Sequence, residues 1–121
     1  MRIFKNTWFA RFADKEGITD TELKEVVNQL EVGQIDADLG GGVYKMRLAR
    51  SGDGKSSGYR VIIFFRSEKW AFYQYAFPKS GKSNIDKGEL RALKANAKVI
   101  LSLTDEQISD RLQKKSLIEI L

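Results

Sequence analysis

Residues 42–85 read GVYKMRLARSGDGKSSGYRVIIFFRSEKWAFYQYAFPKSGKSNI, and this stretch decides the fold. Three runs in it have the alternation and the β-branched and aromatic content of strands: Val43–Arg50, Gly58–Ser67 and Lys69–Phe77. Residues 51–57, SGDGKSS, make a flexible connection, and Ser67-Glu68 is short enough for a hairpin. Sequential strands joined by short links predict an antiparallel meander. Along the first strand Tyr44, Met46 and Leu48 share one face, and Lys45 and Arg47 the other. The second strand is apolar on both faces and so reads as central. Arg60, near its start, shares a face with Ile62 and Phe64.

The same stretch carries the charge. Residues 43–82 hold nine Lys or Arg and only two acids, Asp53 and Glu68, a balance of +7. The rest of the chain holds twelve basic and fourteen acidic residues, a balance of −2, so the formal charge of +5 belongs to the sheet. A structured basic surface predicts a phosphate-bearing partner. The competing explanation is solubility and edge protection, which Lys and Arg commonly give a sheet. Trp70, Phe72, Tyr73, Tyr75 and Phe77 either fill a core or stack on bases.

Toward the N-terminus, Ile3 lies in a short strand over 1–6, and Trp8, Phe9, Phe12 and Ala13 follow helical spacing as far as Gly17. Thr19 and Glu22 have capping-box spacing, with Ile18 and Leu23 placed as a hydrophobic staple. Leu23, Val26, Val27 and Leu30 form the buried stripe of that helix, and Gly33 stops it. Residues 34–42 read as a loop. Toward the C-terminus, Asp86/Glu89 and Thr104/Gln107 repeat the capping box, flanked by Ile85/Leu90 and Leu103/Ile108. Leu90, Leu93, Ala97, Ile100 and Leu101 give the first of these helices its apolar face. Ile108, Leu112 and Leu117 do so for the second, read as running to residue 121. The expected architecture is one α+β domain over 1–121. Two N-terminal helices pack on one face of a twisted antiparallel sheet whose other face stays partly open. The core spans about 1–100, and a helical extension covers about 104–121.

The 121 residues include no cysteine and no histidine. Disulfides, thiolate nucleophiles and zinc–sulfur sites are excluded, and so is the commonest general base. Catalysis must run on Lys, Arg, Tyr, Asp, Glu or backbone groups. The glycines of LGGGV and SGDGKSSG do not match a phosphate-binding P-loop, because no GK[ST] opens a helix after a strand. Asp36, Asp38 and Asp53 form no metal set and read as loop solvation; neither metal nor cofactor is expected. The start MRIFKNTWFARF lacks the apolar segment of a signal peptide, and no run has membrane-spanning length. A cytoplasmic protein without a membrane partner is expected.

Tyr44-Lys45-Met46-Arg47, Gly58-Tyr59-Arg60 and the segment Phe77–Ile85 stand in the order, and on the elements, of the RelE/HigB branch of bacterial type II toxins, which the chain resembles over about residues 1–100. The resemblance implies a RelE-like fold and a toxin neutralised by a cognate antitoxin of helix-turn-helix type, with operator DNA bound only through that antitoxin. It implies a metal-independent endonuclease that cleaves mRNA on the ribosome and so inhibits translation. The 2′-hydroxyl attacks its adjacent phosphate. By position, Lys45, Arg47, Arg60 and Lys82 would be catalytic. One of the strand pair Lys45/Arg47 would act as general base and the other as phosphate clamp, and Arg60 would stabilise the phosphorane. Arg50, Lys55, Lys79 and Tyr75 would contact RNA. The chain departs from the family in having Lys at 82, where many members carry Arg, and no tyrosine after it, which leaves the general acid unassigned. Two other readings stand beside it: a gyrase-binding toxin on the same fold, like the ParE branch, which tends to lack the Lys/Arg strand pair, and a non-toxic RNA-binding module. The antitoxin could cover the basic face or dock on the helices at Trp8, Phe9 and Phe12, if these are not all core.

Overall fold

In the computed structural model, which describes residues 1–48, 58–78 and 85–121, the elements follow one another as β1 (Arg2–Asn6), α1 (Thr7–Glu16), α2 (Asp20–Glu31), β2 (Ala37–Gly40), β3 (Val43–Leu48), β4 (Tyr59–Arg66), β5 (Trp70–Pro78), α3 (Lys87–Leu101), α4 (Asp105–Gln113) and β6 (Leu117–Ile120). All three expected capping boxes form, at Thr19/Glu22, Asp86/Glu89 and Thr104/Gln107. Each satisfies two backbone donors that a bare helix start would leave unpaired. Gly17, at φ 70°, ends α1 in the left-handed region open to glycine.

The strands make one sheet in the order β2-β3-β4-β5-β1-β6. It is mixed rather than antiparallel: β1 pairs parallel to β5, with Phe4 opposite Phe72, while the other neighbours are antiparallel. Two strands occupy segments expected to be otherwise. Residues 37–40 leave the expected loop to pair with β3, Ala37 opposite Lys45. The last helix stops at Gln113; Lys115 takes φ 62°, and the chain reverses into β6 beside β1. Edge pairing won over helical spacing there, because Leu117 and Ile120 alternate about a strand and reach both sides of the sheet.

Both faces are covered. Phe9 and Ala13 of α1 and Leu23, Val26, Val27 and Leu30 of α2 share a buried cluster with Met46, Leu48, Val61, Ile63 and Tyr73. Burial pushes the Tyr73 hydroxyl pKa up, and that hydroxyl donates to the Leu23 carbonyl at 2.7 Å. The opposite face, expected to be partly open, carries a second cluster: Phe4, Val43, Ile62, Phe64 and Phe72 with Ala97, Ile100 and Ile108 of α3 and α4. Close approach of α3 depends on Gly42. Its φ is 84°, and a Cβ there would fall 2.4 Å from Leu101 Cδ1.

One irregularity sets which side chains reach the second face. The register of β4 and β5 shifts between Ile62, opposite Tyr75, and Ile63, opposite Tyr73, so Gln74 is an extra residue in β5. Such a bulge inverts the alternation beyond it. Tyr75 and Phe77 therefore join Phe72 on the second face instead of following Tyr73 to the first.

Candidate functional site

Three rows cross β3, β4 and β5 on the second face. Val43, Phe64 and Phe72 form the first; Lys45, Ile62 and Tyr75 the second; Arg47, Arg60 and Phe77 the third. The first row is fully buried against the second cluster, in which α3 and α4 take part. Along β3 the exposure then rises from buried Val43 through half-buried Lys45 to exposed Arg47. The pleat thus delivers cations where the apolar cover runs out.

Arg47 and Arg60, directly opposite each other, would repel without a counter-ion. Asp36, just before β2, supplies it: Oδ1 lies 3.1 Å from Arg47 Nε and Oδ2 lies 3.8 Å from Arg60 Nε. The Arg60 side chain is 12% exposed and that of Asp36 20%, whereas Arg47 is 72% exposed. A cation as enclosed as Arg60 needs such a partner, since an unpaired buried charge costs several kcal/mol. The carboxylate addresses the Nε edge of each guanidinium. Lys45 Nζ has no ion-pair partner among the described residues. Three cations and one carboxylate leave this end of the face with a net positive charge suited to a phosphodiester.

Of the residues expected at the site, Lys45, Arg47, Arg60 and Tyr75 share this face. Arg50, Lys55, Lys79 and Lys82 lie outside the described residues, as do Asp53 and the connection 51–57. Asp36 departs from its reading as loop solvation and is part of the constellation. No local pattern marks it, because its partners stand 11 and 24 positions away in sequence. Tyr75 is half-buried, with its ring 6.1 Å from Phe77 and 4.7 Å from Trp8. Trp8 itself is 45% exposed, whereas Phe9 is fully buried and Phe12 lies between, so the three aromatics of α1 are not all core.

Among the described residues no helix is long and apolar enough to cross a membrane. The family model described as RelE toxin of the RelE/RelB toxin-antitoxin system matches residues 1–120. Comparison with curated proteins gives no match.

Proposed function

The chain belongs to the RelE toxin family of toxin–antitoxin systems, and from that premise we propose that it is a metal-independent endoribonuclease that cleaves mRNA on the ribosome and so inhibits translation. The observation that carries this reading is the convergence of Lys45, Arg47 and Arg60 on one end of one sheet face, with Asp36 bracing the two guanidiniums. In the reaction the 2′-oxygen forms a bond to its adjacent phosphorus and loses its proton. The bond from phosphorus to the 5′-oxygen breaks, and that oxygen takes a proton. The products are a 2′,3′-cyclic phosphate and a 5′-hydroxyl. An arginine does not release its proton in a protein, so of the strand pair only Lys45, in its neutral amine form, can accept one. Arg47 and Arg60 hold the phosphate and stabilise the charge that builds on its equatorial oxygens. Lys82 joins the catalytic set, with Arg50, Lys55, Lys79 and Tyr75 as further contacts to the strand. The nucleophile comes from the substrate, which suits a chain without histidine or cysteine.

Family membership brings a cognate antitoxin. We take it to be a helix-turn-helix protein that carries the complex to operator DNA, with the toxin acting in the cytoplasm. Inducing the protein in a bacterium and mapping RNA ends tests the reading. Cuts should fall inside translated frames, carry 5′-hydroxyl ends and persist in isolated ribosome complexes when EDTA is added and the particles are kept intact by polyamines. The double variant Lys45→Ala/Arg47→Ala should stay soluble and lose growth inhibition. Each lost transition-state contact costs about 2–4 kcal/mol, roughly 30- to 1000-fold in rate. Full toxicity of that variant overturns the assignment. Cut ends carrying 5′-phosphate would mean an activated water and a different mechanism, and a DNA-damage response without RNA cleavage would mean a gyrase poison.

A further inference from the structure

Trp8 is the one large aromatic of the described residues that is left substantially exposed, and two other rings pack against it. Its indole stacks on Phe12 at 5.5 Å with the planes 7° apart, and lies 4.7 Å from the Tyr75 ring at 37°. Asn6 fixes this meeting from both sides. Its side-chain oxygen caps α1 by accepting the Phe9 amide at 2.7 Å, while its Nδ2 donates to the Gln74 carbonyl at 3.0 Å. One residue therefore sets both the start of the helix that carries Trp8 and the bulge that turns Tyr75 toward the second face. Because Tyr75 ends the row that begins at Lys45, the aromatic pair continues the cationic end of the sheet across two strand spacings, about 10 Å.

The charged residue one turn beyond Trp8 on α1 is a cation, Arg11, with Asp14, Lys15 and Glu16 following it, and Thr7, one residue before Trp8, donates its hydroxyl to the backbone carbonyl of Lys115 at 3.4 Å. Tyr75 also borders a hollow of about 360 Å³ lined by Ile85, Ala92, Leu93 and Glu89. Aromatic rings interleaved with Lys and Arg, beside an open apolar hollow, are the composition with which proteins hold unpaired bases.

We propose that Trp8 and Tyr75 form a stacking platform for an unpaired base of the strand whose phosphate is held by Lys45, Arg47 and Arg60. The proposal rests on the ribonuclease reading and adds a specificity subsite to it. A platform whose rings are already packed on Phe12 and on each other loses little side-chain entropy on binding. It would favour bases that stack well, and so make cleavage depend on the nucleotide neighbouring the scissile one.

The test uses the whole protein and a short 2′-O-methyl RNA strand that cannot be cleaved. Of the two tryptophans, Trp70 is 1% exposed, so quenching of indole fluorescence by the strand reports Trp8. Trp8→Ala should weaken binding by roughly 5- to 150-fold, the range of one base–aromatic stack, and Trp8→Phe should recover part of the loss. The dependence of affinity on salt should not change, because stacking releases no counter-ions. With unaltered protein, an abasic site at one position of the strand should abolish quenching and weaken binding equally, and Trp8→Ala should be insensitive to that substitution. This arm needs no folded variant. If the strand binds wild type, fails to bind Lys45→Ala/Arg47→Ala and binds Trp8→Ala normally, the nuclease reading survives and the platform is overturned. Quenching unaffected by every abasic position overturns it as well. So does a Trp8→Ala protein that cleaves normally yet escapes its antitoxin, which would make the patch a protein-docking surface. Failure of wild type to bind the strand even when it is presented on the ribosome counts against the ribonuclease reading itself.

Discussion

On the ribonuclease reading, Asp36 sets the balance between binding and reaction at the cationic end of the sheet. Its carboxylate pulls the Nε edges of Arg47 and Arg60 together and partly cancels their field. Replacing it by asparagine keeps the shape and removes the charge. A unit charge about 6 Å from a bound phosphate, in a water-like dielectric, is worth about 0.7 kcal/mol, so Asp36→Asn should bind uncleavable RNA roughly threefold more tightly. The guanidiniums are then no longer fixed, and misplacement by a fraction of an ångström should slow cleavage about tenfold. Binding and single-turnover rate measured on the same variant check this. A parallel fall in both would make Asp36 a folding residue, and no change in either would leave it a bystander. Strand parity put Lys45 and Arg47 on one face because parity is a local property, and the family resemblance singled out Arg60. Neither found Asp36, because pairing across an edge strand is not local.

At the scale of elements, β6 is the clearest case of a segment whose fate its own sequence did not settle. Capping at Thr104 fixes where α4 begins; its exit, through left-handed Lys115 with the Ser116 amide on the Arg111 carbonyl, carries no glycine to mark it in the sequence, and the free edge of β1 gives residues 117–120 their partners. Arg2 and Glu119 clasp that pairing with two hydrogen bonds, at 2.9 and 3.0 Å. The bonds from Arg2 hold the Glu119 carboxyl below its ordinary 4.5. A group whose folded pKa is depressed adds stability that is present above its unfolded value and lost as pH falls through the folded one. The Arg2 side chain is 44% exposed, so solvent limits the clasp to about 0.5 kcal/mol. In urea melts, Glu119→Gln should therefore be slightly less stable than wild type at pH 7 and indistinguishable from it at pH 3. A gap of equal size at both pH values would mean that the loss is one of packing, with no contribution from charge.

Over the whole molecule, residues 43–82 carry a balance of +7 in a chain that is otherwise close to neutral. Single-stranded RNA held by Lys45, Arg47 and Arg60 should lose affinity with salt at a slope near −2 in logarithmic units, about −0.7 for each phosphate contact, and steeper if further cations of the stretch join. Lys45→Ala/Arg47→Ala should flatten that slope by about 1.4, whereas a loss of affinity with the slope unchanged would mean that the two side chains act through shape and not through charge. The capping boxes, the parity of Lys45 and Arg47 and the all-apolar central strand were legible in the sequence, since each rests on neighbours within a few residues. The parallel seat of β1 beside β5, the cover of α3 and α4 over the second face and the bulge at Gln74 were not. Each depends on which surfaces far apart in the chain bury one another, and a one-residue change in register is invisible until a partner strand is present to count against. By itself the sequence determined that Lys45 and Arg47 share one face of a strand; the tertiary structure decided that Arg60 would stand opposite Arg47, that Asp36 would pair with both and that Tyr75 and Trp8 would lie together, because those neighbours exist only once the strands have paired.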